Sequence, residues 1–229
     1  MSTRRNKAGN STFSSMIPKI EKVQEKLVCW GRANYEVFPW RSTQNDFHAL
    51  IAEVMLQRTR ANQVVPIFNE FVARYPSVSI ASKETPERIR RILAGLGLNW
   101  RIEKIVQLIC AINERGDKIP GRYEELVALP GVGRYVASSY LSLHRNVRMP
   151  IIDSNVVRLW SRVFAFDDSK EIRRKGWFLK FTERITPQTD FRVFNYSILD
   201  LTRNVCKPKP LHHLCPLSSL CEYYSGSCR

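Results

Sequence analysis

The stretch Leu129-Pro-Gly-Val-Gly-Arg-Tyr135 lies between two segments with helical spacing. Its proline and two glycines form a turn that a regular helix could not contain. The pattern therefore predicts a helix, a glycine hairpin that includes Gly131, and a second helix. The amides of Val132, Gly133 and Arg134 fall at the start of that second helix, where they have no intrahelical partners. An interhelical turn explains the pattern, but such amides also bind phosphate, and the adjacent arginine favours phosphate binding.

Helical spacing of apolar residues continues along the chain on both sides of this hairpin. No segment alternates apolar and polar residues as a half-buried strand would, and only Ile151-Ile152 suggests a short extended piece. We therefore predict an all-α fold. The predicted helices lie at residues 17–34, 46–60, 63–75, 102–113, 123–129, 134–143, 154–166, 170–185 and 191–203, and a short one begins at Pro86 with Thr85 as its cap.

Net charge points to a polyanionic partner. The chain has 36 Lys and Arg residues against 21 Asp and Glu residues, which gives a net charge of +15 over 229 residues. No stretch is long and apolar enough to span a membrane, and the N-terminus lacks the apolar core of a signal peptide. We therefore expect a cytoplasmic, nucleoid-associated prokaryotic protein. Residues 1–17 are basic and rich in Ser and Thr, which predicts a disordered tail.

Asp153 follows the short apolar segment Met149-Pro-Ile-Ile152 and precedes a predicted helix. Its spacing alone fits an N-cap that accepts hydrogen bonds from backbone amides. The order of hairpin, helix and aspartate supports a second interpretation, in which the carboxylate lies near a phosphate-binding loop. Loss of a base from a nucleotide leaves a cationic, oxocarbenium-like sugar, and a nearby anion stabilises that cation as it forms.

Four of the six cysteines, Cys206, Cys215, Cys221 and Cys228, fall in the last 24 residues. A terminal cluster of this kind in a cytosolic protein favours a metal or iron–sulfur site over disulfides. Cys29 and Cys110 lie in helical apolar runs and are predicted to be buried core residues.

Several motifs in the same order resemble the helix–hairpin–helix DNA glycosylases, the superfamily of endonuclease III and the MutY adenine glycosylases. The tyrosine after the hairpin and the tail Leu220-Cys-Glu-Tyr-Tyr224 are most similar to the Mig-type mismatch thymine glycosylases. The motifs are Phe38-Pro-Trp-Arg41, Ala52-Glu-Val-Met-Leu-Gln-Arg-Thr59, the hairpin, Ile152-Asp-Ser-Asn-Val-Val-Arg158 and the C-terminal cysteines.

The resemblance implies a two-lobed all-α architecture. Residues 47–148 would form a six-helix domain that contains the hairpin, and residues 18–46 with 149–229 would form a helical iron–sulfur domain. The implied partner is double-stranded DNA with a mismatched or damaged base, bound by a monomer with the target nucleotide flipped out of the duplex.

The same resemblance implies roles for site residues. Asp153 occupies the position of the catalytic aspartate, and Glu53 matches a glutamate that protonates the departing base or positions water. Tyr135 replaces the lysine of strand-cutting members, so we expect a monofunctional enzyme in which water is the nucleophile. Gln57 and Arg58 match the segment that probes the duplex beside the flipped base.

Simpler interpretations of these residues stay open. Glu53 and the 57–58 pair would also fit the solvent-facing side of a helix, and Tyr135 would also fit a packed aromatic residue. A lysine such as Lys104 would permit slow strand cleavage.

A [4Fe–4S] cluster is the cofactor that the resemblance implies, with family spacing Cys-x6-Cys-x2-Cys-x5-Cys. Cys206, Cys215 and Cys221 fit three positions, and His212 stands at the second in a loop one residue shorter. Three interpretations stay open: a cluster with three cysteines and His212, a cluster that uses Cys228, or a lost cluster whose residues are vestigial or bind zinc. We predict a cluster.

The target base is predicted from the C-terminus. The chain ends eight residues after Cys221, whereas MutY enzymes carry a further domain that reads 8-oxoguanine. This favours thymine or uracil opposite guanine. The alternatives are a MutY-like adenine glycosylase that acts on A·G or A·8-oxoguanine, and a noncatalytic DNA-binding module.

Overall fold

A computed structural model describes residues 10–167, 169 and 171–227 of the protein. All regular secondary structure in these residues is helical, which confirms the predicted all-α fold. The twelve α-helices of the described residues are α1 (Asn10–Ala33), α2 (Asp46–Met55), α3 (Ala61–Arg74), α4 (Val78–Ala81), α5 (Pro86–Leu93), α6 (Asn99–Asn113), α7 (Tyr123–Val127), α8 (Arg134–His144), α9 (Ser154–Phe164), α10 (Gly176–Ile185), α11 (Phe191–Asn204) and α12 (Glu222–Ser227). None of the helices described is long and apolar enough to cross a bilayer.

The N-terminal helix is longer than predicted. Helix α1 begins at Asn10, so residues 10–17 are helical and the predicted disordered tail is wrong for them, while residues 1–9 lie outside the described residues. Met16 packs against the core of its unit, which gives this first part of the helix apolar surface to bury.

Helix α2 differs from its prediction at both ends. Its cap is Asn45, whose Oδ1 accepts from the amides of Phe47 and His48, so Asp46 is the first helical residue and not the cap. The helix ends at Met55 and not near residue 60. Arg58 has the left-handed φ of 59°, which no α-helix can contain.

The chain divides into two compact units, one formed by residues up to Glu36 and from Arg148 onward, the other by Val37–Val147. The sequence placed the first division at residue 47. The unit begins earlier because Phe38 and Trp40 belong to its core: their rings stack at 4.9 Å, and Trp40 meets Phe68 edge-on at 5.7 Å.

In the 37–147 unit, α2 is the central helix. It packs on α3, α6 and α8, and nearly all of its side chains are buried. Leu50, Ile51 and Val54 contribute apolar side chains to that core, and Glu53, which lies between Ile51 and Val54 in the sequence, is buried as well. A buried carboxylate needs a polar partner, so Glu53 must find one inside the unit.

In the other unit, α1, α9, α10 and α11 enclose an aromatic core. Trp160 stacks on Phe194 at 6.3 Å and meets Phe181 edge-on at 6.1 Å. Helix α1 approaches α11 closely at Gly31, where an added Cβ would lie 1.7 Å from Ser197 Oγ. This approach leaves no room for any other residue at position 31 without a shift of one helix.

We expect Gly31→Ala to lower the free energy of unfolding by about 1–3 kcal/mol, because the methyl group overpacks the α1–α11 contact. Chemical denaturation monitored by circular dichroism measures the loss. Gly176→Ala is the matched control, since a Cβ there meets open space at the start of α10. Equal stability of the two variants would contradict the tight α1–α11 contact.

Candidate functional site

The glycine hairpin forms as the sequence predicts, with a helix on each side. Gly131 has a φ of 77°, and an added Cβ would lie 2.9 Å from Lys104 Cβ, so only glycine fits there. Gly133 has a φ of −85°, and a Cβ added to it would meet open space. The fold therefore requires the first glycine, whereas the second keeps the approach to the start of α8 open.

Two of the three amides proposed for phosphate binding are available for a ligand. The amide of Val132 donates to Leu129 O at 3.1 Å and its side chain is buried, so this amide already has a partner inside the turn, and its role in phosphate binding stays a prediction. The amides of Gly133 and Arg134 make no hydrogen bond to the described residues, and both residues are exposed. This pair at the N-terminus of α8 is the arrangement that binds anions.

Gln57 and Arg58 lie in the loop between α2 and α3, which we call loop 56–60. Gln57 Nε2 donates to Gly131 O at 2.9 Å and so joins this loop to the hairpin. Arg58 is exposed. Neither residue is on a solvent-facing helix, and of the two only Arg58 extends a charged side chain to solvent.

Arg101 holds loop 56–60 in place, and no pattern in the sequence predicted this role. Its side chain is fully buried and donates to Thr59 Oγ1 at 2.7 Å, to Leu96 O at 2.8 Å and to Met55 O at 3.0 Å, as well as to Gln57 O. Burial lowers the pKa of this guanidinium. This rigid, planar cation thus binds two backbone carbonyls before Arg58 and the Thr59 side chain after it, which restrains the loop on both sides of Arg58.

Glu53 is buried and does not face solvent. Its Oε1 lies 2.9 Å from His144 Nε2, and the Glu53 and His144 side chains are only 3 % and 2 % exposed. His144 is the last residue of α8, and its ring stacks on Tyr140 with centroids 6.2 Å apart. No pattern in the sequence predicted this pair.

Tyr135 lies in the first turn of α8, directly after the two available amides, and is half-buried. Helix α8 packs on α2, the helix that carries Glu53. The 37–147 unit thus brings together the hairpin, loop 56–60 and the helices of Tyr135 and Glu53.

Asp153 caps α9 in the other unit. Its Oδ1 accepts from the amides of Asn155 at 2.9 Å and Val156 at 2.7 Å, and its Oδ2 accepts from Asn155 Nδ2 at 2.9 Å. The capping interpretation is therefore confirmed. The half-buried carboxylate is held in one orientation by three N–H donors, and a catalytic role for it stays a prediction.

A chain of hydrogen bonds continues from Asp153 to the cysteine loop. Asn155 Oδ1 accepts from Arg158 Nη1 at 2.9 Å. The same guanidinium donates to Cys206 O from Nε at 3.1 Å and from Nη2 at 2.9 Å. The backbone at Cys206 and the cap of α9 are thus held by one arginine.

The cysteine loop forms one small pocket that Cys206, Cys215, Cys221 and His212 line together. The three thiols are free of disulfides. Burial, and to a smaller degree the nearby thiols of Cys206 and Cys221, raise the pKa of Cys215 to about 11. The three thiols therefore lie close together in one pocket of low polarity, where a bound metal would have to deprotonate them to be held by thiolates.

Three thiols and one imidazole form a donor set that suits an iron–sulfur cluster, and the same set also suits zinc. Within the described part of the chain, no three His, Cys, Asp or Glu side chains are already arranged around one metal position. His212 stacks on Tyr224 at 4.4 Å, and Cys228 lies outside the described residues.

Cys29 and Cys110 are exposed, so the prediction that they are buried core residues is wrong. Each lies on the outer side of its helix, next to but not within the apolar stripe.

Comparison with known families identifies the superfamily to which the hairpin belongs. Residues 51–180 match the model of the HhH-GPD superfamily base excision DNA repair protein, which is more than half of the chain. The chain belongs to this superfamily. The resemblance to helix–hairpin–helix glycosylases is therefore confirmed.

The relatives differ in the share of their own length that this chain matches. A thymine-DNA glycosylase of Aeropyrum pernix is 33 % identical over 217 residues, which cover 91 % of this chain and 96 % of the relative. A thymine/uracil-DNA glycosylase of Methanothermobacter thermautotrophicus is 31 % identical, covering 82 % and 86 %. An adenine DNA glycosylase of Buchnera aphidicola is 33 % identical over 199 residues, but the match spans only 56 % of its length.

Solved structures share the fold. A thermostable thymine-DNA glycosylase superposes with a TM-score of 0.84 at 27 % identity, covering 92 % of this chain and 99 % of that one. An endonuclease III trapped in a covalent complex with DNA superposes with a TM-score of 0.80 at 20 % identity, which shows the common HhH-GPD fold alone.

Substitutions of the two hairpin glycines should separate an effect on folding stability from an effect on DNA binding. We expect Gly131→Ala to lower the melting temperature, because it places a Cβ against Lys104 in a left-handed conformation. Gly133→Ala should lower the melting temperature much less, because its Cβ meets open space, and should weaken duplex DNA binding, because its methyl group narrows the approach to the α8 amides. Thermal melts and fluorescence anisotropy on one labelled duplex measure both. Unchanged DNA affinity in Gly133→Ala would exclude the hairpin as a phosphate site.

Proposed function

We propose that the protein is a monofunctional DNA glycosylase of base excision repair that hydrolyses the N-glycosidic bond of thymine or uracil opposite guanine. The observation that carries this proposal is the match to thymine and thymine/uracil DNA glycosylases over nearly their whole length. The adenine glycosylases are matched along about half of theirs, and they supply the second candidate.

In this proposal Asp153 stabilises the sugar while the base departs. The C1′–N bond breaks, its electron pair leaves with the base, and the sugar becomes an oxocarbenium-like cation. The anionic carboxylate of Asp153 opposes that charge. Water then bonds to C1′ and gives up a proton, so the products are the free base and an abasic site.

Glu53 and Tyr135 have supporting roles. Glu53 protonates the departing base or positions the water, which is general acid–base work that contributes about 10²–10⁴ in rate. Tyr135 lines the base pocket. A phenol cannot form an imine with the sugar, so the proposed reaction ends at the abasic site without strand cleavage.

The remaining predicted residues bind the duplex. The amides of Gly133 and Arg134 bind a backbone phosphate, and the Arg134 side chain adds charge. Arg58 extends from loop 56–60 into the space that the flipped nucleotide leaves, and Arg101 together with the Gln57–Gly131 hydrogen bond keeps that loop in register with the hairpin.

A [4Fe–4S] cluster is proposed for the cysteine loop, with Cys206, Cys215, Cys221 and His212 as its ligands. The cluster would supply covalent cross-links that hold the loop in one conformation. The contacts of Arg158 to Cys206 O and Asn155 then connect that rigid loop with the cap of α9.

A panel of labelled duplexes tests the function. We expect strand breaks at G·T and G·U duplexes only after hot alkali, and none at A·8-oxoguanine or at an oxidised pyrimidine. Asp153→Asn should lower the single-turnover rate by roughly 100-fold or more, because it removes the anion. Asp117→Asn, an exposed residue in a left-handed turn that asparagine also tolerates, is the matched control. Breaks in the adenine strand would identify the MutY-like alternative. Binding without cleavage of any duplex would identify a DNA-binding module.

Iron and acid-labile sulfide analysis of anaerobically purified protein tests the cofactor. We expect iron and sulfide in equal amounts, lost in Cys206→Ser and in His212→Ala, and retained in Cys228→Ser. Cys110→Ser, an exposed thiol in the other unit, is the control for a general effect of removing a thiol. Retention in His212→Ala with loss in Cys228→Ser would assign the fourth ligand to Cys228. Zinc without iron would exclude a cluster.

A further inference from the structure

The Glu53–His144 pair is the one place in the described 37–147 unit where two buried ionisable side chains bond to each other. Burial of a carboxylate is costly unless a donor satisfies it. Glu53 makes this single side-chain hydrogen bond to the described residues, from His144 Nε2 to Oε1 at 2.9 Å. The imidazole therefore compensates the buried acid, and one carboxyl oxygen, Oε2, is left without a protein partner in that part of the chain.

We propose that His144 is a positioning residue for Glu53, an inference that rests on the glycosylase function proposed above. The ring Nε2–H donates to Oε1 and so fixes the plane of the carboxyl group. Only Oε2 is then left to carry the proton for the departing base or to hold the water. A general acid must present its proton from a defined atom, and a carboxyl group free to rotate would present either oxygen.

The surroundings of His144 hold its ring in place. The ring stacks on Tyr140, which is one turn earlier on α8, with an interplanar angle of 28°. The next residue, Arg145, forms an ion pair with Asp46 at the start of α2. Burial, followed by the nearby charge of Asp46, raises the pKa of Tyr140 to about 12, so the phenol stays neutral beside the pair. The C-terminal end of α8 therefore contacts α2 at two points, Asp46 and Glu53.

The sequence neighbours do not supply this restraint. The residues next to Glu53 on α2, Ala52 and Val54, have no polar side chains to orient a carboxylate. The histidine of α2 itself, His48, forms its hydrogen bond with Tyr75 O at 2.8 Å and not with Glu53. His144 alone among the described side chains bonds to the Glu53 carboxyl group.

The test is a single-turnover assay on the G·T or G·U duplex that the wild-type protein cleaves, with duplex affinity measured separately on an abasic-site analogue. His144→Leu should lower the single-turnover rate by roughly 10- to 100-fold, within the range of general acid–base catalysis, and change the dissociation constant by less than about twofold. His144→Gln retains an N–H donor near the Nε2 position and should recover most of the rate. His48→Leu removes a hydrogen bond from the same helix without touching Glu53, and should keep the wild-type rate.

A double-mutant cycle separates positioning from a structural role. In a Glu53→Gln background, His144→Leu should lower the rate by less than about twofold further, because the group that it positions is already gone. Independent, multiplicative effects of the two substitutions would overturn the proposal, and so would a wild-type rate in a folded His144→Leu variant. Activity in the wild-type protein distinguishes these outcomes from failure of the proposed function. A protein that cleaves none of the duplexes overturns the function and this inference together.

Discussion

Burial of α2 constrains the candidate residues of the 37–147 unit. An almost fully buried helix must satisfy every polar group that it carries, and α2 carries a carboxylate in its interior and C-terminal carbonyls beyond its own helical bonds. Ala52 O and Val54 O accept from the amides of Leu56 and Gln57. His144 satisfies the carboxylate, and Arg101 satisfies carbonyls at Met55 and Gln57. Both partners come from helices that pack on α2. The same contacts that make the burial of α2 tolerable therefore fix the orientation of Glu53 and the path of the backbone at Arg58.

The other unit uses arginines in a similar way on α9. Arg158 donates to Cys206 O and to Thr202 O at 3.2 Å, and Arg162 donates to Lys207 O at 2.6 Å and Pro208 O at 2.8 Å. These carbonyls belong to the end of α11 and the first part of the cysteine loop, where no helix supplies amide partners. Two arginines one turn apart thus hold the loop on α9 before any ligand contributes. Because Asp153 caps the same helix, the loop and the carboxylate share one rigid support.

Sequence patterns predicted local features well, but they did not predict which distant residues individual side chains contact. Helical spacing located α2, α3, α8, α9 and α11, and the proline and glycines located the hairpin, because these signals depend on residues close together in the chain. The hydrogen bond between Glu53 and His144 joins residues 91 positions apart. Periodicity indicates which face of a helix is buried but not what that face contacts. For that reason Glu53 remained compatible with a solvent-facing residue, and Arg101 and His144 were not recognised. The same limit explains Cys29 and Cys110, which lie beside apolar stripes but outside the core.

Capping and catalysis are compatible at Asp153, and they differ in what they require. Asparagine caps a helix about as well as aspartate, since either side chain accepts from the first amides. Capping of α9 alone therefore does not require a negative charge at position 153. A carboxylate that opposes a sugar cation must stay in position, and the amides of Asn155 and Val156, with Asn155 Nδ2, hold it in one orientation. The cap does not require the charge of this residue, whereas the proposed reaction does.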